Sequence, residues 1–168
     1  LERAQRINRT LALIPPERRP QLALRPIDIA TVFPSRDVRD IAERHPNLKL
    51  ILDHCGLNRH GQDEAAFIHL DKLVALAKLP NVAIKATGAP HYSTEGYPFR
   101  NSQDGLHRIF DAFGPKRFFW GTDITRMTCT YRQCVTHFTE ELPWLAGQDL
   151  ETVMGRGLAK WVGWDFRF

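Results

Sequence analysis

The chain has 168 residues, of which 43% are hydrophobic, 25% charged and 10% aromatic. These proportions are typical of a folded globular protein and exclude a disordered, collagen-like or coiled-coil chain. The length favours a single domain over residues 1–168, which can bury roughly 70% of the surface that the unfolded chain exposes.

Lys and Arg number 23 against 19 Asp and Glu, which gives a formal net charge of +4 at pH 7. The basic side chains crowd the stretch up to Arg25 without a nucleic-acid-binding motif, so we expect no nucleic-acid partner. Three cysteines are too few for a disulfide framework, and no apolar run approaches the ~18–20 residues of a membrane span. We therefore expect a cytoplasmic protein that does not bind a membrane. The sequence opens with Leu1 rather than Met, which leads us to expect further sequence upstream.

Short apolar runs alternate with longer amphipathic runs, and this alternation predicts β/α units. Residues 1–8 read as a helix, and two candidates for the first strand of the sheet follow, TLALIP at 10–15 and IDIATVFP at 27–34. The stretch from Pro15 to Pro26 carries four prolines and cannot form one regular element throughout. Ser35 caps a helix that ends before Pro46, and the buried strand LKLILDHCG follows at 48–56.

Two more units and a closing segment complete the pattern. A long helix over 65–79 leads into the strand NVAIKATG at 81–88, and an aromatic-rich loop over 89–103 leads into a helix over 105–114. The strand RFFWGTD at 117–123 precedes two closing helices over 131–145 and 150–163. Strands that alternate with helices through right-handed crossovers predict a parallel sheet, with its chemistry at the carboxyl ends of the strands.

Two polar residues stand at the ends of predicted strands. His54 ends an apolar strand, where imidazole can ligate a metal or accept a proton, or it is a core histidine satisfied by hydrogen bonds. Asp123 ends the strand RFFWGTD and acts either as a general base or metal ligand, or as the cap of the following turn. Strand alternation places Asp53 on the opposite face from His54, so we expect the two in different surroundings.

Other side chains near these strand ends are candidates for binding substrate. Lys85 interrupts an apolar strand and either extends to the surface, which is slightly favoured, or faces an anion. Arg126 either clamps a substrate carboxylate through its planar guanidinium or is an ordinary loop arginine. The long loop contributes possible residues of a binding mouth, namely His91, Tyr92, Tyr97 and Arg100. For the remaining candidates on helices and loops we expect solvated side chains, at His60, His69, His107 and His137.

Four motifs in order carry a family resemblance: AERHPNLKLILDHCG, LPNVAIKATG, FGPKRFFWGTD and VMGRGLAKWVGW. Over roughly residues 37–164 the chain resembles the C-terminal half of an amidohydrolase-2 type protein. The resemblance implies an α/β fold of the (β/α)8 barrel type, to which this chain supplies strands five to eight and their helices. It implies that Asp123 is the base that activates water or assists decarboxylation, that His54 contacts substrate or metal, and that Arg126 holds a substrate carboxylate.

One element of the family pattern is missing, because no two of the seven histidines are separated by a single residue and the expected His-x-His motif is absent. A complete barrel takes about 250 residues, so 168 residues correspond to about half of one. A divalent metal, Zn or Mn, bound by His54 and Asp123 would need ligands from elsewhere. Open sheet edges lead us to expect a homo-oligomer, or an N-terminal half in the same protein.

Three functions remain open from the sequence. The first is a metal-dependent hydrolase of a lactone or related carboxylated ring compound, in which an aspartate activates water. The second is a non-oxidative decarboxylase of the same superfamily, which would use the same site. The third is a truncated half-barrel without catalytic activity that serves as an interaction domain.

Overall fold

A computed structural model of the chain describes residues 27–29, 35–58 and 60–164. Four parallel strands form one sheet in the order β1 (Ile27–Ile29), β2 (Leu50–Leu52), β3 (Val82–Thr87) and β4 (Phe118–Gly121). Ile27 pairs with Leu50, and Leu50 pairs with Val82. The predicted parallel sheet is therefore confirmed, and IDIATVFP supplies one of its strands. The predicted helix over residues 1–8 and the candidate strand TLALIP lie outside the described residues.

Six α-helices are described around this sheet. They are α1 (Ser35–Arg44), α2 (Leu70–Val74), α3 (Arg100–Phe113), α4 (Tyr131–Thr139), α5 (Gly147–Glu151) and α6 (Gly157–Val162). A π-helical turn, Thr152–Arg156, joins α5 to α6. Short 3-10 turns occupy Asp53–Gly56, Asp63–Phe67, Ala75–Lys78, Ala89–Tyr92, Pro115–Arg117 and Ile124–Arg126. None of the described helices is both long and apolar enough to cross a membrane.

The two faces of the sheet pack against different helices. On one face, apolar side chains of α1, α2 and α3 share a core cluster with Leu50, Ile84 and Phe118, which are all fully buried. The other face presents Ile51, Ala83 and Phe119 to a second, smaller cluster, in which Leu158 and Trp161 of α6 pack. The three helices that connect successive strands therefore lie on one face of the sheet, and α6 reaches the opposite face.

Buried Asn81 joins the end of α1 to the sheet. Its side-chain amide donates to the carbonyl oxygens of Ala42, His45 and Leu48 at 3.0–3.1 Å. These carbonyls lie at and beyond the end of α1, where backbone acceptors have no partner within the helix. Asn81 thus satisfies buried backbone groups and fixes the position of β2 relative to β3.

Several helix boundaries differ from those predicted. The expected helix over 65–79 consists of α2 between two 3-10 turns, and α3 begins at Arg100 rather than at 105. Asp63 and Asn101 explain the early start of α3, because the Asp63 carboxylate accepts hydrogen bonds from Thr94 and from the Asn101 side chain and holds the preceding loop. The first closing helix stops at Thr139, and Pro143 stands in the turn that follows.

Candidate functional site

The carboxyl ends of β2, β3 and β4 meet at one edge of the sheet. His54 lies two residues beyond β2, Thr87 ends β3, and Asp123 lies two residues beyond β4. His54 and Asp123 both have φ of 52°, the left-handed region that non-glycine residues seldom occupy. Such backbone strain concentrates at functional sites, and here it occurs at both residues predicted to carry the chemistry.

Thr87 holds His54 from the neighbouring strand. The backbone N–H of His54 donates to Thr87 Oγ1 at 3.2 Å, and His54 Nδ1 lies 3.0 Å from the same oxygen and 3.3 Å from the Thr87 carbonyl oxygen. With its proton on Nδ1, the imidazole can therefore donate a hydrogen bond to Thr87, and Nε2 then carries the free lone pair. The sequence offered one signal for this role, a hydroxyl at the end of an apolar strand.

Asp123 stands between a histidine and an arginine. Its Oδ2 atom lies 3.6 Å from His54 Nε2 and 3.6 Å from Arg126 NH1. The His54, Asp123 and Arg126 side chains are 27–28% exposed, so solvent and small molecules reach all three. The structure therefore brings together the three residues that sequence reasoning singled out at the ends of β2 and β4.

A glycine makes room for the His54 ring. Gly88 has φ of +72°, and a Cβ atom at this position would lie 3.4 Å from His54 Nδ1 and 3.5 Å from Met127 Cε. A larger residue would be strained by its backbone conformation and would crowd the imidazole. Gly88 thus permits the close approach of the β3 end to His54.

Lys85 and Asp53 form a second charged pair next to the first. The Lys85 Nζ atom lies 2.5 Å from Asp53 Oδ1, and the two side chains are 23% and 16% exposed. Lys85 therefore faces an anion within the chain, and the slightly favoured expectation that it extends to the surface is wrong. Asp53 and His54 contact different partners, but both lie in the 3-10 turn Asp53–Gly56 beyond the end of β2, so strand alternation does not set their directions.

The loop residues predicted to line a binding mouth have different surroundings. Tyr92 is 2% exposed and belongs to the main core, so the prediction that it binds substrate at a mouth is wrong. His91 is half-buried, with its ring 5.5 Å from that of Tyr92, and its buried Nδ1 atom has no hydrogen-bond partner among the described residues. Tyr97 donates to Thr136 Oγ1 at 2.9 Å, and Arg100 is exposed at the start of α3.

His137 is another departure from the sequence prediction. It is fully buried on α4, and neither ring nitrogen has a hydrogen-bond partner among the described residues. Phe99 and Phe138 meet its ring edge to face, with centroids 5.3 and 5.4 Å away. The expectation of a solvated helix residue is therefore wrong, because His137 lies on the core face of α4. Burial lowers the pKa of His137 from 6.5 to about 4.

The donor set at the sheet edge matches part of a metal centre. Two ligands of a tetrahedral zinc, each about 2.0–2.2 Å from the ion, lie roughly 3.4 Å apart, close to the 3.6 Å between His54 Nε2 and Asp123 Oδ2. A catalytic zinc uses three protein ligands, and the described part of the chain contains no group of three or more candidate ligands. His54 and Asp123 therefore fit two ligand positions and do not complete a site.

The three cysteines are free in the structure, as the absence of a disulfide framework predicted. Cys55 and Cys134 are buried, and the Sγ atoms of Cys129 and Cys134 lie 3.6 Å apart. Burial raises the pKa of the Cys129 thiol to about 12, so this thiol remains protonated at neutral pH and is not an activated nucleophile.

Solved structures similar to this chain are amidohydrolases. An amidohydrolase from Burkholderia multivorans with bound zinc is 24% identical over 82% of this chain and 52% of its own, with a TM-score of 0.69. Amidohydrolase 2 from Bifidobacterium longum subsp. infantis is 24% identical over 83% of this chain and 50% of its own, with a TM-score of 0.56. A putative 2-pyrone-4,6-dicarboxylic acid hydrolase from Pseudomonas putida is 21% identical, over 79% and 50%, with a TM-score of 0.55.

This chain spans about half the length of these neighbours. No curated protein matches the sequence. The amidohydrolase family model matches residues 25–166, which include the whole described sheet, His54, Asp123 and Arg126. The chain therefore belongs to the amidohydrolase family.

Proposed function

We propose that the chain carries part of the active site of a hydrolase that opens a lactone or related carboxylated ring compound. The observation that carries the proposal is the position of Asp123 Oδ2, 3.6 Å from both His54 Nε2 and Arg126 NH1 at the carboxyl edge of the sheet. Family membership supports hydrolase chemistry, and the local geometry supports the roles of the individual residues.

Asp123 is the general base of this proposal. A carboxylate placed after an apolar strand and still open to solvent can accept a proton from a water molecule as that water attacks an ester carbonyl. The water oxygen bonds to the carbonyl carbon as its proton moves to a carboxylate oxygen of Asp123, and Asp123 then returns the proton to the ring oxygen as the bond between that oxygen and the carbonyl carbon breaks. Arg126 NH1 lies 3.6 Å from the same carboxylate oxygen and helps to hold the Asp123 side chain in position.

His54 and Arg126 orient the substrate. Thr87 fixes the His54 ring, so Nε2 is held towards the space next to Asp123. The guanidinium of Arg126 is bound on one side by Asp123 and has further donors for a substrate carboxylate. We place Lys85 and His91 as additional substrate contacts, with the Lys85 ammonium already neutralised by Asp53.

A divalent metal, zinc or manganese, fits this site only in part. His54 and Asp123 would hold it, and the further ligands would come from chain outside the described residues. When bound, such a metal supplies Lewis acidity and lowers the pKa of a coordinated water. The roles given to Asp123 and Arg126 here need only their own charge and position.

We further propose that the chain forms about the C-terminal half of a (β/α)8 barrel. The strands follow one another in sequence order, and the three helices that connect successive strands, α1, α2 and α3, cover the same face of the sheet. A barrel has this arrangement throughout, whereas a doubly wound sheet reverses its strand order and divides its connecting helices between the two faces. The other half would come from the same protein or from a second chain.

The test is turnover of 2-pyrone-4,6-dicarboxylate and simpler lactones by the full-length protein and its Asp123→Asn variant. Asparagine keeps the shape of the side chain and removes its basicity, so we expect kcat to fall by roughly 10²–10⁴-fold. Asp104→Asn, on the exposed side of α3, is the matched control and should leave kcat unchanged. Thermal unfolding of each variant separates loss of chemistry from loss of fold.

Two results would count against the proposal. Full activity of Asp123→Asn would refute the role of Asp123 as base. Release of carbon dioxide in place of ring opening, with the same dependence on Asp123, would favour a decarboxylase, because the two reactions use the same site and differ in the substrate bond that lies next to it. If no substrate turns over, the half-barrel is better explained as an interaction domain.

A further inference from the structure

A second concave site lies at the opposite edge of the sheet. Lys49 directly precedes β2, and Lys116 and Arg117 directly precede β4, so their side chains gather at the amino ends of the strands. A pocket of about 410 Å³ lies there between the sheet and the segment from α5 to α6. Its lining includes five basic residues and an aromatic one: Lys49, Lys116, Arg117, Arg156, Lys160 and Trp161.

The positive charge of this pocket is only partly balanced. Arg156 pairs with Glu151, and the Arg117 guanidinium donates to the carbonyl oxygens of Ala77, Leu79 and Val82. No acidic residue is among the described residues that line the pocket. Lys116 and Lys160 are exposed at its mouth, so several cationic groups converge on one volume.

Trp161 and Lys49 form a fixed part of the pocket wall. The Lys49 Nζ atom donates to the Trp161 carbonyl oxygen at 2.8 Å and lies 5.3 Å from the centre of the indole ring. One cation of the lining is therefore held in place by contacts within the chain.

The backbone next to the pocket is irregular. Thr152 and Arg156, the two ends of the π-helical turn, both line it, and π-turns inserted into helices occur frequently at functional sites. Gly157 lies against Phe119, where a Cβ atom would stand 2.8 Å from the Thr152 carbonyl oxygen. The close packing of α6 on the sheet, which forms one wall of the pocket, therefore depends on this glycine.

We propose that this pocket binds a small oxyanion with at least two negative charges, carried by phosphate or carboxylate groups. Lys116 and Lys160 bind its charge at the mouth, and Lys49 adds a further cation in the wall beside them. Oxyanions accept several charge-assisted hydrogen bonds at once, which matches a set of lysine donors around one volume. This site is separate from the proposed catalytic edge and does not depend on the reaction assigned there.

The experiment is isothermal titration of the full-length protein with inorganic pyrophosphate and with citrate, at constant ionic strength. We expect binding of at least one of these ions, weakened about tenfold or more in the double variant Lys116→Gln/Lys160→Gln. The double variant Lys72→Gln/Lys78→Gln removes the same charge from exposed positions outside the pocket and should bind as the native protein does.

The two ions distinguish the sources of the oxyanion. Preference for pyrophosphate assigns a phosphorylated ligand, and preference for citrate assigns a polycarboxylate. Absence of binding to both ions, or equal affinity in the two double variants, would overturn the proposal. Binding of a DNA or RNA oligonucleotide without binding of either small ion would also overturn it, in favour of an extended basic surface.

Discussion

The burial of His137 makes the stability of the protein depend on pH in a way that one substitution can isolate. The imidazole lies between Phe99 and Phe138 with neither nitrogen hydrogen-bonded to a described residue. Because burial disfavours the charged form, the pKa of His137 is lowered from 6.5 to about 4 in the folded state. Protonation of this side chain therefore favours unfolding.

The direction and size of the effect follow from proton linkage. A histidine with a lowered pKa in the folded state contributes its full stability above pH 6.5 and loses it as the pH falls through the interval from 6.5 to about 4. Each pH unit within that interval corresponds to about 1.4 kcal/mol, so we expect a loss of about 2 kcal/mol at pH 5 relative to pH 8. The loss reaches a limit of about 3 kcal/mol below pH 4.

The assay compares urea unfolding of the native protein and of His137→Leu at pH 8, 7, 6 and 5. Leucine has a similar volume and does not titrate, so the variant should lose about 2 kcal/mol less than the native protein between pH 8 and pH 5. The difference between the two pH dependences removes contributions from all other titrating groups. His60→Gln, at an exposed position, is the matched control and should behave as the native protein does.

Parallel pH profiles for the native protein and His137→Leu would refute the reasoning. They would mean that His137 reaches solvent or a proton acceptor in the folded state. If His60→Gln also loses less stability than the native protein between pH 8 and pH 5, the effect is not specific to the buried ring of His137.

Three further predictions concern single contacts. Thr87→Val should lower kcat without changing the melting temperature by more than a few degrees, and Thr87→Ser should restore kcat, since the hydroxyl is the side-chain group of Thr87 that contacts His54. Equal kcat values in the Val and Ser variants would contradict this positioning role. Gly61→Ala should destabilise the protein by about 1–3 kcal/mol in urea unfolding, because the added Cβ atom would press on the backbone of Ala65 and Ala66. Gly96→Ala is the control and should change stability little, since no atom lies within 4 Å of the Cβ position there. Equal effects of the two substitutions would contradict the crowding at Gly61. Hydrogen bonds from Thr94 lower the pKa of Asp63 below 3.8, so the stability that Asp63 contributes near neutral pH is lost as the pH falls through this lowered pKa. The Asp63→Asn variant should therefore lose less stability below pH 4 than the native protein does, and an unchanged acid unfolding curve would exclude the contribution.

The strands and the meeting of His54 with Asp123 could be predicted because both depend on local patterns. Apolar runs bounded by Gly or Pro identify β2, β3 and β4, and parallel strands place their carboxyl ends at one edge, so residues that follow the strands must be neighbours. The sequence offers Arg126 as a possible clamp for a substrate carboxylate or as an ordinary loop arginine, and its contact with Asp123 is seen only in the structure. The contact of Thr87 with His54 depends on the register between strands, which sequence patterning does not supply.

The errors share a physical cause, because each depended on packing between distant segments. Tyr92 and His137 carry polar atoms, and a polar atom on a loop or helix gives no sign of which neighbours cover the ring. Tyr92 joins the core beneath the 3-10 turn Ala89–Tyr92, and Phe99 and Phe138 cover His137. The break in the predicted helix over 65–79 likewise lies in a segment of good helix formers, where tertiary packing overrides intrinsic preference.

The proposed catalytic site lies at the carboxyl ends of the strands and the proposed oxyanion pocket at their amino ends, and the parallel sheet itself explains this division. Loops after the carboxyl ends of parallel strands can vary without disturbing the core, and the catalytic candidates His54, Asp123 and Arg126 all belong to such loops. Residues at the amino ends are tied to the packing of the sheet, as Arg117 is through its three bonds to carbonyl oxygens. An anion bound beside Lys116 would therefore stabilise the fold directly. Two strands connect this pocket to the catalytic edge: β4 begins next to Arg117 and ends two residues before Asp123, and β2 begins next to Lys49 and ends two residues before His54. If bound pyrophosphate or citrate changes turnover, the change should disappear in Lys116→Gln/Lys160→Gln, because that variant no longer holds the ion.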